Sequence, residues 1–331
     1  MVSIVVRTHN RAELLKRALE CLVRQTYRPI EIFVVDHNSS DNTRQVAASF
    51  GDIVVYHLHK GNFRDTFNVW RDRIAGEFVS VLDDDDFIRP DCIEKLANVL
   101  LENDSIDVAF CRHRFFHVTE DRCTVEKETG RLDCDGITRL LLEGNYVPWN
   151  AVLFKRSCLR EIPEIDESIT GSFDWFFWIQ MALAGFRFYQ CDEVLGYIRR
   201  SPDSVQFETL RMGKGDLDCV KYFGRHLKAR DRLSYGYYYH YGHRLICYAI
   251  TCLEDNDIRT GRLLLLKGIF IFLLSFKKRL WLLPAALIFL SSIISDPKTA
   301  RIRVEKLFGI YLFRNYHQKK MGQGVFVPRN P

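Results

Sequence analysis

Apolar and polar positions alternate in blocks along the first hundred residues. Val2–Val6 is a short β-branched run that predicts a buried strand, broken by Thr8-His9-Asn10. Asn10 followed by Glu13 has capping-box spacing, and Leu14, Leu15, Ala18, Leu19 and Leu22 form an apolar stripe at helical spacing. Ile30–Val35 predicts a second buried strand, ending at Asp36, and His37 to Thr43 is loop-and-cap chemistry ahead of another helix. Ile53–Leu58 predicts a third strand, Phe63–Ala75 a helix, and Phe78–Leu82 a fourth strand that runs into Asp83-Asp84-Asp85-Asp86. Pro90 opens a helix to about Leu101. Strands alternating with helices predict βαβ units and a mostly parallel sheet. Ligands of such sheets bind beyond the carboxyl ends of the strands. Thr8, Asp36 and the acidic run all follow strand ends, so one edge gathers the polar chemistry.

Composition narrows the class. With 331 residues, 47% hydrophobic and 27% charged, the chain is a globular protein of one large or two ordinary domains, without repeats or low-complexity linkers. A net charge of +5 is too small to imply a nucleic-acid partner. The charge is uneven, however. Residues Lys277 to Pro331 hold eleven Lys/Arg against two Asp/Glu, and this basic, apolar tail points to an anionic surface, most simply a membrane. Ten cysteines lie scattered without a CxxC pair, as reduced thiols of a cytosolic protein would. Val2–Val6 is too short for the apolar core of a signal peptide.

Four adjacent carboxylates raise one another's pKa unless a cation is present. A solvated acidic turn is one reading of the run. Its position directly after an apolar strand, at the ligand edge, favours the other, a divalent-cation site. Asp83 and Asp85, alternate residues on an extended turn, point the same way. Oxygen ligands suit Mg²⁺ or Mn²⁺, with phosphate and water filling the remaining positions.

Ser3-Ile4-Val5-Val6-Arg7-Thr8-His9-Asn10-Arg11, Gln25-Thr26-Tyr27, Glu31 to Asp41 and Val81 to Asp86, in that order, resemble a family 2 glycosyltransferase over roughly residues 2–205. The resemblance implies an α/β fold of GT-A type, a nucleotide-binding mixed sheet flanked by helices, over 1–205. Residues 206–331 then form a mainly helical, apolar and basic extension. It implies inverting transfer from a nucleoside-diphosphate sugar. It places Thr8, Asn10 and Arg11 near the base and makes Asp36 an acceptor for base or sugar hydrogens. The family's D-x-D motif falls on Asp83 and Asp85. Asp85 then binds a Mn²⁺ or Mg²⁺ bridging the diphosphate, Asp83 touches ribose, sugar or the same metal, Asp84 lies against the donor, and Asp86 stands behind them.

Other matches carry departures. Asn68 lies where the family often has an Arg-Asn pair, but Phe67 replaces the Arg; Asn68 is either a donor contact or an ordinary polar helix position. Trp149 beside Asn150 is either a platform for a pyranose or a core Trp. Gly171 to Phe188 resembles the segment where an acidic pair opens a helix; Asp174 matches the catalytic base, while Phe173 replaces the preceding Glu. Asp174 also fits a helix cap, and the two roles are compatible. Val194–Val205 resembles the loop that closes over the diphosphate. Ser201 stands where many relatives have His, and Arg199 or Arg200 is the candidate replacement for phosphate contact. His113 and His117 lack a supporting ligand cluster and read as structural or surface residues rather than zinc ligands.

Tyr235–Tyr241 contains five Tyr, either helix packing or a membrane-interface belt. Leu263–Phe276 and Leu280–Ile294 are apolar but each is short of the roughly 20 residues a membrane span needs, and Lys277-Lys278-Arg279 separates them. They predict interfacial helices, with Lys298–Lys320 reading anionic lipid, or else a helical packing domain or dimer interface. The expectation is a metal-dependent inverting glycosyltransferase, peripheral on the cytosolic membrane face, acting on a glycan acceptor, lipid-linked, in surface polysaccharide synthesis, with homo-oligomer formation left open. Two alternatives stand. A nucleotidyltransferase of sugar phosphates wants a Gly-rich phosphate loop, which Arg7–Arg11 lacks. A non-catalytic membrane-docked scaffold is kept open by Phe67, Phe173 and Ser201.

Overall fold

The computed structural model describes residues 1–118, 123–200 and 209–274. The first half follows the predicted alternation: β1 (Val2–Thr8), α1 (Ala12–Val23), β2 (Ile30–Asp36), α2 (Thr43–Ala48), β3 (Val54–Leu58), β4 (Phe78–Asp83), β5 (Phe87–Ile88) and α3 (Cys92–Glu102). Then come β6 (Val108–Val118), β7 (Cys123–Glu128), α4 (Ile137–Glu143), β8 (Val152–Lys155), α5 (Phe173–Leu183) and β9 (Phe188–Arg200). Four helices follow: α6 (Thr209–His226), α7 (Ala229–Ser234), α8 (Tyr237–Glu254) and α9 (Ile258–Leu274).

One mixed sheet runs in the order β3-β2-β1-β4-β8-β6-β9-β5, with β7 on the side of β6. β1 pairs in parallel with β2 and β4, and β8 runs antiparallel to β4 and β6. Register aligns Thr8 with Asp36, and Arg7 with Asp83, so three strand ends present their polar residues in one row. The strand runs are mostly apolar because both faces of the sheet are covered. Ile4, Val6 and Leu82 pack under α1 and α3. Val5, Val81 and Phe154 pack on the other face, against α5.

Helix α5 lies across that second face and is apolar all round, as a central helix is. Trp175, Phe176, Phe177 and Trp178 are buried, each stabilising the fold by about 1.5–3 kcal/mol. Cys219, Val220 and Phe223 of α6 belong to the same core, which ties that helix to the sheet. The boundary expected at 205 lies outside the described residues. Tyr237 is buried and Tyr235, Tyr238 and Tyr241 pack against this core, which fits the packing reading of that stretch.

Three local expectations are corrected. Asn10 does not cap α1: its backbone is left-handed (φ 49°), and Asp41, from the loop after β2, accepts the Ala12 N–H at 3.0 Å. The same Asp41 accepts from Thr43 N–H, so one carboxylate serves the starts of α1 and α2. Phe63–Ala75 is not an α-helix but a 3₁₀ turn at Phe63–Phe67 followed by further turns. Its side chains are pulled outward instead: Arg71 donates to the carbonyls of Leu159, Ile162 and Pro163, and Asn68 binds Ile165. Finally, Val194 to Arg200 is the end of β9 rather than a loop, and residues 201–208 lie outside the described residues.

Candidate active site

The row of strand ends is knitted together by side-chain hydrogen bonds. Asn10 N–H donates to Ser39 Oγ (2.8 Å) and Asn10 Oδ1 accepts from Ser40 N–H (2.7 Å), tying the loop after β1 to the loop after β2. Asp36 is buried. Its Oδ1 accepts from the N–H and hydroxyl of Ser39 (2.9 and 2.6 Å), and its Oδ2 accepts from Tyr56 (2.5 Å). Burial and the Asp36 bond push the Tyr56 hydroxyl well up, so it stays protonated as a donor. Over this floor the ring of His37 stands between those of His9 and His59, with Phe63 edge-on to it.

The acidic run divides by position. Asp83 pairs with Arg7 and keeps 39% of its side chain exposed. Arg11 spans Asp84 and Asp85, at 3.3 Å to each, and Arg199 lies 3.7 Å from Asp85. Burial, then the Asp85 charge, pushes Asp84 up to about 7. Burial, then the Asp83 charge, raises Asp85. Asp86 turns fully inward, accepting from Asn150 Nδ2 (3.0 Å) and from Arg199 N–H (2.8 Å), so it anchors the turn to β9. The donor set fits a hard divalent cation. It consists of carboxylate oxygens, those of Asp84 and Asp85 with raised pKa values, and buried Asp84 Oδ2 has no hydrogen-bond partner. Among the described residues no three His, Cys, Asp or Glu side chains form a complete cage, so phosphate and water would supply the other ligands.

Asp174 opens α5 beside this edge. Its carboxyl sits deep in the protein while part of the residue still meets solvent. Asn145, just after α4, donates to Asp174 Oδ2 at 2.6 Å. Burial pushes Asp174 up to about 6, against its bond to Trp175 N–H. The charges of Asp83 and Arg7 also bear on it, and the ring of Phe173, its neighbour, lies 4.9 Å from that of Phe67. Arg7 joins these rings to the acidic run: its guanidinium lies 3.7 Å from the centre of the Phe67 ring while it pairs with Asp83.

A family model, Glycosyl transferase family 2, matches residues 3–159. Residues 3–159 are thus similar to a family 2 glycosyl transferase domain. An uncharacterised glycosyltransferase of Rickettsia typhi is 29% identical over 190 residues, which is 54% of this chain and 58% of that protein. The glycosyltransferase GlyG of Streptococcus pneumoniae is 32% identical over 110 residues, 32% of this chain and 36% of GlyG. The match thus spans little more than half the length of the first of these relatives and about a third of the second. Two solved structures share the fold. S. aureus TarS 1-349 in complex with UDP-GlcNAc has a TM-score of 0.64 at 16% identity, covering 95% of this chain and 93% of that one. The mannosyltransferase PcManGT from Pyrobaculum calidifontis, in complex with GDP-Man and Mn²⁺, has a TM-score of 0.56 at 16% identity, covering 93% and 84%. The expected GT-A-type sheet, followed by helices over residues 209–274, is the fold of the described residues.

The structure brings Thr8, Asn10, Arg11, Asp36, Asp83, Asp84, Asp85 and, from β9, Arg199 to one edge of the sheet, and Asp174 opens α5 next to Phe173, which packs on Phe67 beneath Arg7. Three expected contacts fall elsewhere. Trp149 is buried among Phe67, Phe177 and Trp178, which leaves no open face for a pyranose; it is a core residue. Both amide atoms of Asn68 are held by the Ile165 backbone, at 3.0 and 3.1 Å, so Asn68 clamps a loop. Arg200 points to the other face of β9 and lies 3.9 Å from the Phe115 ring centre. His113 is buried and held neutral, its pKa lowered to about 3 by burial, in keeping with a structural role; the His117 side chain lies outside the described ones. Arg7 and Asn145 were not expected. Arg7 sat inside the strand motif without a visible partner, and the Asn145 bond joins residues 29 apart, which spacing does not reveal.

Proposed function

We propose that this protein is a metal-dependent inverting glycosyltransferase that moves a sugar from a nucleoside-diphosphate donor to an acceptor hydroxyl. One observation carries the reading: Arg7 pairs with Asp83 and stacks on Phe67, whose ring lies 4.9 Å from that of Phe173, the neighbour of Asp174, which supports donor-side and acceptor-side chemistry at one edge. The donor's base meets the edge made by Thr8, Asn10 and Asp36. Arg7, Arg11 and Arg199 offer cations to its phosphates. Asp83 and Asp85 hold Mn²⁺ or Mg²⁺, which when bound neutralises charge on the diphosphate. Asp174, with a pKa of about 6, is mostly ionised at neutral pH. Asn145 occupies one of its oxygens, and the other accepts the acceptor's hydroxyl proton. The oxygen so freed attacks the anomeric carbon, the bond to the nucleoside diphosphate breaks on the opposite face, and the anomeric centre inverts.

The acceptor is a glycan, lipid-linked, and the enzyme works as a peripheral protein at the cytosolic membrane face. Supporting this, α9 carries Leu263, Leu266 and Phe270 exposed, and the following residues 277–331 hold eleven Lys/Arg against two Asp/Glu. Among the described residues no helix is long and apolar enough to cross a membrane.

The decisive experiment is a panel of UDP- and GDP-sugars with Mn²⁺, Mg²⁺ or excess chelator, following nucleoside-diphosphate release. Turnover is expected with metal only, and Asp85→Ala and Asp174→Asn should abolish it. Unchanged turnover in chelator, or pyrophosphate as the product, would overturn the reading.

A further inference from the structure

We propose that Asp216 and Arg244, contributed by α6 and α8, act as a positioning pair for Asp174: together they fix the turn that presents its carboxylate and regulate the charge it feels. The inference rests on Asp174 being the base of the proposed reaction.

The turn before α5 is strained. Ser172, two residues ahead of Asp174, is buried in the left-handed region (φ 51°, ψ 41°). A non-glycine residue there is disfavoured and persists only where its surroundings hold it. The surroundings here come from the C-terminal helices. Ser172 Oγ donates to Asp216 Oδ1 at 2.6 Å, and Arg244 donates to Asp216 Oδ2 at 2.9 Å. The other arm of Arg244 donates to the Glu143 carbonyl at 3.2 Å, two residues before Asn145, which itself holds Asp174. The guanidinium also lies 4.9 Å from the Trp175 ring centre. One arginine therefore touches both segments that carry the groups around Asp174. Backbone contact adds to this grip: a Cβ on Gly215 would lie 2.4 Å from the Gly171 carbonyl carbon, so α6 is pressed against the turn itself.

A neutral residue at 216 could hold the Ser172 hydroxyl. A carboxylate does more, because its charge reaches Asp174. The charged groups bearing on Asp174 are Asp83 from β4, Arg7 from β1 and Asp216 from α6. Cys219 of α6 lies near as well, its thiol raised well above its ordinary value by burial and hence neutral. Arg244 balances Asp216. Removing the arginine's charge leaves an uncompensated anion beside Asp174 and favours its protonated form; removing the charge of Asp216 leaves a cation and favours the carboxylate. The two partners of one ion pair should move Asp174 in opposite directions, which loss of packing alone would not do.

The full-length protein, labelled with ¹³C at the aspartate carboxyls, allows the Asp174 titration to be followed by NMR, with the resonance assigned by its loss in Asp174→Asn. A midpoint near 6 is expected in the parent protein. Arg244→Gln should raise it by about half a pH unit or more, Asp216→Asn should lower it, and Arg244→Lys should stay close to the parent. Should Arg244→Gln fail to fold, Asp216→Asn and Arg244→Lys still decide the matter. Shifts in the same direction for both partners, or no shift in Asp216→Asn, would overturn the positioning pair. Because the titration needs no donor, it separates the two ideas: opposite shifts together with an active Asp174→Asn enzyme would keep the pair and discard the base.

Discussion

Replacing Asp174 by Asn should destroy turnover and stabilise the fold. The side chain stays isosteric, and its amide oxygen still accepts from Asn145. What disappears is a charge. Folding moves the Asp174 carboxyl from its ordinary 3.8 to about 6, chiefly through burial, and each step of ten in that equilibrium is about 1.4 kcal/mol. The ionised carboxylate therefore costs the folded state up to about 3 kcal/mol. Solvent reaches part of the residue, so a discounted range of about 1–3 kcal/mol is the fair expectation. Because the folded-state pKa is raised, the cost builds as pH climbs from 3.8 to about 6 and is complete above that. At about 2–4 °C per kcal/mol for a protein of this size, Asp174→Asn should melt several degrees above the parent protein at pH 7.5, with most of the advantage gone at pH 4. Differential scanning fluorimetry at the two pH values measures this directly. A variant that is destabilised at pH 7.5, or whose gain is larger at pH 4, would refute the claim that burial holds this carboxyl up.

Three further outcomes follow from the same geometry. Arg7→Met removes the partner of Asp83 and the cation over Phe67, and should lower kcat/KM at least about tenfold with an unchanged circular dichroism spectrum; a loss below twofold would remove Arg7 from the site. Asn68→Ala leaves the Ile165 peptide unpaired and should cost about 1–3 kcal/mol in urea unfolding while the KM for donor stays put; a raised KM would return Asn68 to the donor site. Gly215→Ala drives a Cβ into the Gly171 backbone and should lower kcat as well as stability, the latter by about 1–3 kcal/mol; normal kcat in a destabilised protein would show that the turn tolerates the shift.

The strands and their order of appearance were legible because each of the first four is a β-branched run followed by polar residues, a local signal. Asp36, Asp83 and Asp85 could be placed at one edge from that signal alone, since parallel strands align their carboxyl ends. The errors arose where distant residues override local pattern. Asn10 and Glu13 satisfy a capping rule, yet Asp41, 29 residues beyond Ala12, does the capping. Phe63–Ala75 carries helical spacing, but Arg71 and Asn68 find stronger partners in the carbonyls and amide of the 159–165 loop. The Trp149 ambiguity needed the positions of Phe67, Phe177 and Trp178, which converge from two segments of the chain. Likewise, the support for Asp174 from Asn145, Asp216 and Arg244 spans 29 to 70 residues, and no periodicity encodes it.

Why should two alternate carboxylates serve the donor when four stand in a row? The turn after β4 answers by sorting them. Asp83, the last residue of the strand, stays at the rim, and Asp85 meets Arg11 and Arg199 there. The intervening Asp84 and the final Asp86 are turned inward, where burial raises both. Asp86 spends its oxygens on Asn150 and the Arg199 backbone, so it fixes the turn to β9 and with it the guanidinium that faces Asp85. Repulsion between neighbours is eased in two ways: burial favours the protonated forms of Asp84, Asp85 and Asp86, and arginines pair with Asp83, Asp84 and Asp85. In the proposed reaction an arriving diphosphate would compete for those arginines and so release the half-exposed Asp83 and the buried Asp85 to a cation.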